Sequence, residues 1–138
     1  MERNLWKYSF FLAIGISLLG STILWFNLGN YLAVLICLFA GILITRISWV
    51  NKKCLIRAKS ALNAGKDFVI INYKDSAEAV DIKIIPVWSN KFMLYGYLPE
   101  KEDVKEFQWR YMMGATINGQ QMYVVDVLKY IRDIPLHD

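Results

Sequence analysis

The chain carries the apolar stretches YSFFLAIGISLLGSTILWF (residues 8–26) and YLAVLICLFAGILITRISWV (residues 31–50), separated by only four residues. The first has no charged residue and the second has one, Arg46. As a helix with a rise of ~1.5 Å per residue, each is about 28–30 Å long, which matches a hydrocarbon core of ~30 Å. The sequence therefore predicts a transmembrane hairpin. The alternative is a soluble helical hairpin, which the remaining residues are too few to bury.

Aromatic residues mark the ends of both stretches. Trp6 and Tyr8 open the first stretch and Trp25 closes it, while Tyr31 and Trp49 flank the second. Because tryptophan and tyrosine rings prefer the headgroup zone, the pattern predicts two interfacial belts. A cleaved signal peptide is the competing interpretation of the first stretch. Its length and the immediately following second stretch argue against a signal peptide.

Basic residues flank the hairpin at its two outer ends only. Arg3 and Lys7 precede it, and a basic collar follows it, formed by Lys52, Lys53, Arg57 and Lys59. The positive-inside rule then predicts a two-pass protein of a bacterial inner membrane with both termini in the cytoplasm. The collar suits anionic lipid headgroups. Residues 60–138 hold nine basic and eleven acidic side chains, so long nucleic acid is not an expected partner despite the overall charge of +4.

Small residues recur every four positions in both stretches. We expect them to form the helix-packing faces, since small side chains let helices approach closely in lipid. The set is Ala13, Ser17, Ser21, Ala33, Cys37, Gly41 and Thr45. These faces serve either the hairpin itself or contacts between subunits of a homo-oligomer. A channel would require the oligomer, because one hairpin cannot enclose a pore.

The pattern divides the chain into four segments. They are a cytoplasmic N-terminus (1–7), the two-helix hairpin (8–50), a basic juxtamembrane stalk helix (51–66) and a small cytoplasmic sensor or interaction domain (67–138). The stalk continues the second helix and stops at Gly65. Its apolar stripe, which includes Cys54 and Leu55, packs either on its own domain or on neighbouring subunits. Cys54 is either a thiolate favoured by nearby cations or an inert residue on a helix face.

The last segment changes to the periodicity of strands. Predicted strands are Phe68–Tyr73, Val80–Ile84, Phe92–Leu98 and Glu106–Met112, with turns at Lys74-Asp75-Ser76 and Asn118-Gly119. We expect Pro86 to end the second strand or to place it at a sheet edge. Residues 120–132 fit either a strand or a helix. The expected fold is an α-helical transmembrane hairpin plus a small α+β domain, with an antiparallel sheet of four to five strands and a C-terminal helix.

Residues suited to catalysis are scarce. The only histidine is His137, and no Cys/His cluster has the spacing of metal ligands. No Ser/His/Asp set can be assembled with so remote a histidine, and no glycine-rich phosphate loop occurs. The sequence therefore predicts a protein that is not an enzyme and that uses no metal or cofactor.

Aromatic residues on the last two predicted strands indicate a binding surface. Tyr95 and Tyr97 share one face of the third strand, and Trp109 shares one face of the fourth with Tyr111. The candidate ligand-binding residues are completed by one further ring and three cations: Trp88, Lys91, Lys105 and Arg110. Rings for stacking with cations nearby suit nucleotide-like ligands. The alternative is that the rings are simply the core of the sheet.

Residues 68–112 resemble the WYL regulatory domains, which are small barrels. The resemblance runs through a strand, a second strand ending near Pro86, Tyr-Gly-Tyr-Leu at 95–98 and Phe107-Gln108-Trp109-Arg110. Those domains have a basic residue near the position of Tyr111, where this chain has tyrosine. The resemblance therefore implies a ligand-binding role for Arg110 alone.

The whole-chain plan is similar to that of small membrane effectors of CRISPR-type antiphage defence. Those proteins join a short hairpin of spanning helices to a cytoplasmic domain that senses a cyclic nucleotide or cyclic oligoadenylate. The resemblance implies a ligand-sensing effector that perturbs the inner membrane as a homo-oligomer. The alternative is a non-catalytic structural or assembly subunit of a larger bacterial envelope complex.

Overall fold

Two long helices form the first part of the chain. The structure is a computed structural model that describes residues 1–74 and 78–135, so the predicted turn at Lys74-Asp75-Ser76 falls largely outside them, as does His137. Helix α1 spans Glu2–Asn27 and helix α2 spans Tyr31–Asn63. The Asn30 side chain begins α2 by accepting a hydrogen bond from the backbone N–H of Ala33 at 3.2 Å. Both helices are long and apolar enough to cross a membrane.

Helices α1 and α2 pack closely at two glycines. A Cβ atom on Gly15 would lie 2.9 Å from the backbone nitrogen of Thr45, and one on Gly41 would lie 2.8 Å from Cγ of Leu19. Contacts this short leave no space for a side chain, so the hairpin packs through backbone at this level.

Some of the predicted packing residues are buried or half-buried, and others are exposed. Gly41 is buried, and Thr45 is half-buried beside Gly15, as described above. Ser21, Ala33 and Cys37 are also half-buried, while Ala13 and Ser17 are exposed. The first helix thus presents Gly15 and Leu19 to the second.

The C-terminal part of α2 belongs to the second unit of the structure. The chain divides into two compact units within α2, between Lys53 and Cys54. Beyond this point Cys54, Leu55, Ala58 and Ala61 are buried. The apolar stripe of the stalk therefore packs on its own domain, which decides between the two alternatives left open by the sequence.

Gly65 ends α2, as predicted. The backbone N–H of Lys66 donates to Ala61 O, and that of Gly65 donates to Leu62 O, both at 3.0 Å. Gly65 has φ of +66°, and this pair of bonds is the Schellman arrangement that a left-handed glycine permits.

A six-stranded antiparallel sheet and a terminal helix make up the rest of the second unit. The sheet has the strand order β4-β3-β2-β1-β5-β6. Its strands are β1 (Val69–Tyr73), β2 (Val80–Ser89), β3 (Met93–Leu98), β4 (Asp103–Gln108), β5 (Met112–Ile117) and β6 (Gln120–Met122), followed by helix α3 (Val124–Arg132). The antiparallel sheet and the C-terminal helix are confirmed.

The predicted strand count was too low. The stretch expected to be a fourth strand, Glu106–Met112, is interrupted by a 3₁₀ turn at Trp109–Tyr111, so β4 and β5 are separate strands. Residues 120–132, predicted to be either a strand or a helix, form both: the short edge strand β6 and then helix α3. The sheet therefore has six strands instead of four or five.

Pro86 neither ends β2 nor places it at an edge. Strand β2 lies between β3 and β1 and continues through Pro86, which is paired with Gly96. The register shifts between Pro86 and Trp88. Such an irregularity accommodates a residue without an N–H donor, which explains how a central strand tolerates proline. The Asn118-Gly119 turn is confirmed, with φ of 48° and 79° linking β5 to β6.

Helix α3 covers the sheet through one face. Val127, Tyr130 and Ile131 are buried on that face, and the Tyr130 hydroxyl donates to Asp67 O at 2.6 Å. Burial, with Asp67 nearby, raises the pKa of Tyr130 from 10.0 to about 12. The folded domain therefore holds this proton more tightly than the unfolded chain does.

The full chain should lose stability as the pH rises from about 10 to about 12, because the unfolded state releases the Tyr130 proton before the folded state does. We expect Tyr130→Phe to cost about 1–2 kcal/mol at neutral pH, since Asp67 O loses its donor. The variant should also show a shallower alkaline decline. Thermal unfolding at stepped pH measures both effects, and a decline of unchanged slope would assign the alkaline loss to other groups.

Candidate ligand-binding cleft

Asn90 joins the turn between β2 and β3 to the 3₁₀ turn that follows β4. Its side-chain oxygen accepts hydrogen bonds from the backbone N–H groups of Phe92 and Met93, both at 2.8 Å. The backbone carbonyl oxygen of Asn90 accepts a hydrogen bond from the Trp109 indole N–H at 3.0 Å. In return, the backbone N–H of Trp109 donates to Phe92 O at 3.0 Å. These bonds hold the two turns side by side.

A cleft of about 500 Å³ lies between these two turns. Of the residues that the structure describes, six line it: Lys91, Phe92, Met93, Gln108, Trp109 and Arg110. They include two cations, two aromatic rings and no carboxylate. The Phe92 side chain is 71% exposed, so its ring is available to a ligand. The Arg110 guanidinium lies 4.5 Å from the centre of the Tyr111 ring, which positions its charge over an aromatic face.

The cleft can bind a ligand that is both flat and anionic. An aromatic or apolar part of the ligand can pack on Phe92 and Trp109, and an anionic part can pair with Lys91 or Arg110. Among the described residues, the lining contains no Cys, Ser, His, Asp or Glu side chain.

Three of the seven predicted ligand residues line the cleft: Lys91, Trp109 and Arg110. The other four lie elsewhere. Tyr95 and Tyr97 are buried in β3, and Trp88 is half-buried with its ring centre 4.8 Å from that of Tyr95. The Lys105 amine lies 5.6 Å from the centre of the buried Phe107 ring. Phe92, Met93 and Gln108 were missed, although Asn90 is a turn residue that could have drawn attention to them.

Tyr97, which is buried in β3, has a raised pKa. Removal from water raises the pKa of Tyr97, and the nearby carboxylates of Glu102 and Asp103 raise it further. The Tyr97 side chain is buried and forms part of the core.

Cys54 is not a thiolate. Burial raises its pKa to about 12 from 9.0, because the lowering effect of Arg57 is smaller than the loss of hydration. The Cys54 side chain is buried, so the inert alternative describes it and the thiolate interpretation was wrong.

The members of the basic collar have different surroundings. The Lys53 amine lies 4.7 Å from the centre of the Trp49 ring, one helical turn earlier. The Arg57 Nη2 atom donates to Ile131 O at 3.4 Å, near the end of α3. Lys52 is half-buried and Lys59 is exposed. Arg57 therefore places a positive charge at the C-terminal end of α3, where a cation is favourable.

A second depression, of about 330 Å³, lies on the open face of β1 and β5. Its lining includes Asn72, Asp81 and Thr116. The Asn72 amide donates to the Asp81 carboxylate at 2.7 Å, so these two polar groups already satisfy each other. In residues 1–74 and 78–135, no group of three or more His, Cys, Asp or Glu side chains is placed to hold a metal ion.

Comparisons with known proteins do not add to this geometry. No protein-family model, no curated protein and no solved structure matched the chain.

Proposed function

We propose that the chain is a membrane-anchored sensor whose second unit binds an anionic, ring-containing ligand in the cleft between the β2–β3 turn and the 3₁₀ turn. The observation that carries this proposal is the pairing of exposed Phe92 and half-buried Trp109 with Lys91 and Arg110 around one concave surface. Cyclic nucleotides and cyclic oligonucleotides combine flat bases with one or more anionic phosphodiesters, so they are a ligand class that this lining suits.

Exposure of the apolar helices supports the membrane anchor. Only 6% of the most apolar window of α1 and 11% of that of α2 is buried, whereas the core helix of a soluble protein is mostly buried. The side chains left exposed include Phe10, Ile23, Leu35 and Phe39. A bilayer would cover them. Lys53 beside Trp49 is the kind of pair expected at the headgroup level, where both side chains are stable.

The proposed location is the bacterial inner membrane, with the second unit in the cytoplasm. In this orientation Arg3, Lys7 and the basic collar lie on the cytoplasmic side, as the positive-inside rule requires.

As an effector of antiphage defence, the protein would act as a homo-oligomer. Ligand binding would favour one arrangement of the domains and thereby rearrange the hairpins, perturbing the membrane. This requires the ligand to bind one arrangement more tightly than the other.

A thermal-unfolding screen of the detergent-solubilised full chain with cyclic di-, tri-, tetra- and hexanucleotides tests the proposal. A ligand at 100 times its Kd should stabilise the protein by about 2.7 kcal/mol. Lys91→Gln should reduce this shift by weakening binding, whereas Lys105→Gln should not, because Lys105 lies outside the cleft lining. The two variants remove the same charge and differ only in position.

Absence of a shift with every nucleotide, in protein shown to be folded, would contradict ligand sensing. The remaining candidate would then be an assembly subunit of an envelope complex, which the 71% exposure of Phe92 favours because a partner protein could cover it. Stoichiometric co-purification of a second protein, lost on Phe92→Ser, would establish that function instead.

A further inference from the structure

Helix α3 has further apolar residues that none of the described residues of the second unit covers. Tyr123, at its N-terminal end, is 68% exposed and Val125 is 73% exposed. Val124 and Leu128 are exposed beside them. The adjoining face carries the buried residues Val127, Tyr130 and Ile131. A short helix thus displays apolar residues both to the sheet and to the outside.

Charge is distributed unevenly around this outer face. At ~100° per residue, Lys129 and Arg132 fall beside Val125 and Leu128, whereas Asp126 falls on the far flank. Asp126 is also engaged at the start of the helix, where its carboxylate accepts from the backbone N–H of Tyr123 at 2.9 Å.

Arg132 has one acidic neighbour. Its Nε lies 3.8 Å from Asp133. Both side chains are exposed, and an exposed pair at this distance is weak. Arg132 can therefore exchange this partner for another anion.

Only a short length of chain separates Val50 from Arg57. Arg57, which donates to Ile131 O, follows Val50 by seven residues. Even a fully extended chain of that length spans only about 25 Å. If residues 31–50 span a bilayer, the covalent chain keeps Arg57 within about that distance of its surface.

We propose that the outer face of α3, formed by Tyr123, Val124, Val125 and Leu128, docks on the surface of the bilayer. Lys129 and Arg132 would then meet anionic headgroups while the apolar side chains enter the interface, which is the chemistry of an amphipathic surface helix. The inference rests on the membrane anchor of the proposed function but does not require the ligand.

A lipid surface fits this face better than a second copy of the chain does. A two-fold symmetric contact brings the same patch of both copies together. Lys129 and Arg132 of one copy would then approach the same residues of the other, and like charges in contact are destabilising. Anionic lipid removes that repulsion and provides counter-charges.

The test places an environment-sensitive fluorophore on the full chain in vesicles of equimolar phosphatidylcholine and phosphatidylglycerol. In a Cys37→Ala background, Val125→Cys supplies the labelling site, and buried Cys54 stays unlabelled in the folded protein. Val80→Cys is the matched control, because this valine is also exposed, at 55%, but lies in β2. Carbonate extraction establishes separately whether the chain is membrane-anchored.

We expect brominated lipids to quench the label at residue 125 several-fold more than the label at residue 80. Replacing Lys129 and Arg132 with glutamine should reduce that difference. Equal quenching at the two positions, whether high or low, would overturn the inference. Shielding of residue 125 that persists in detergent and increases with protein concentration would also overturn the inference, since it shows a second copy on this face. Release of the chain from the vesicles by carbonate would instead reject the membrane anchor itself.

Discussion

Gly15→Ala should force helices α1 and α2 apart and destabilise the hairpin by about 1–3 kcal/mol. The new methyl group would meet Thr45 Oγ1 and lie 2.9 Å from the backbone nitrogen of Thr45. Backbone cannot rotate away as a side chain can, so the helices must separate and lose contact along their length. The measurement is an SDS titration of the detergent-solubilised chain, followed by the distance between spin labels on the exposed residues Ile16 and Ile42.

The matched control for Gly15→Ala is Gly20→Ala in the same helix. No described atom lies within 4 Å of a Cβ at Gly20. Since alanine favours helix over glycine by up to about 1 kcal/mol, this variant should be neutral or slightly more resistant to SDS. If both variants behaved alike, close packing at Gly15 would not be what holds the helices together.

Gly96→Ala should destabilise the second unit by about 1–3 kcal/mol. A Cβ at Gly96 in β3 would lie 2.6 Å from Cδ1 and 3.1 Å from Cβ of Ile84 in β2. Ile84 is fully buried, so its side chain has no free volume into which it can move. Thermal unfolding of the full chain, followed by the near-ultraviolet signal of the aromatic residues, should show a lower midpoint.

Gly114→Ala provides the comparison for Gly96→Ala. Gly114 is also in a strand, β5, and no described atom lies within 4 Å of a Cβ there. Neither glycine is among the positive-φ residues of the described chain, so backbone strain does not separate the two variants. Alanine at position 114 should be neutral or stabilising because it restricts the unfolded chain. A midpoint lowered equally by both changes would mean that Ile84 yields to the methyl group.

Local signals in the sequence predicted several features correctly. The lengths and compositions of residues 8–26 and 31–50 predicted two long helices, and Gly65 predicted where α2 ends. Asn118-Gly119 predicted its hairpin because both residues tolerate positive φ. Each of these signals depends on the backbone preferences of a few adjacent residues, which are visible in one sequence.

Features set by distant contacts were not predictable in the same way. Phe107, Trp109 and Tyr111 alternate with polar residues as in a strand, but Trp109 begins a 3₁₀ turn. Its indole N–H donates a hydrogen bond to Asn90 O, 19 positions earlier in the sequence. Pro86 is tolerated because the β2–β3 register shifts beside it, which no local pattern reveals. The cleft depends on the same contacts, so only Lys91, Trp109 and Arg110 were found from the sequence.

The continuous helix α2 has a consequence for how this protein can be released from its anchor. Leu55, Ala58 and Ala61 lie in the interior of the second unit, and Arg57 reaches the last turn of α3. Proteolysis just before β1 would therefore shed a fragment that lacks part of its own interior and unfolds. Cleavage before Cys54 would release a fragment that retains these buried residues. An intact domain can leave its anchor only by taking the end of that helix with it.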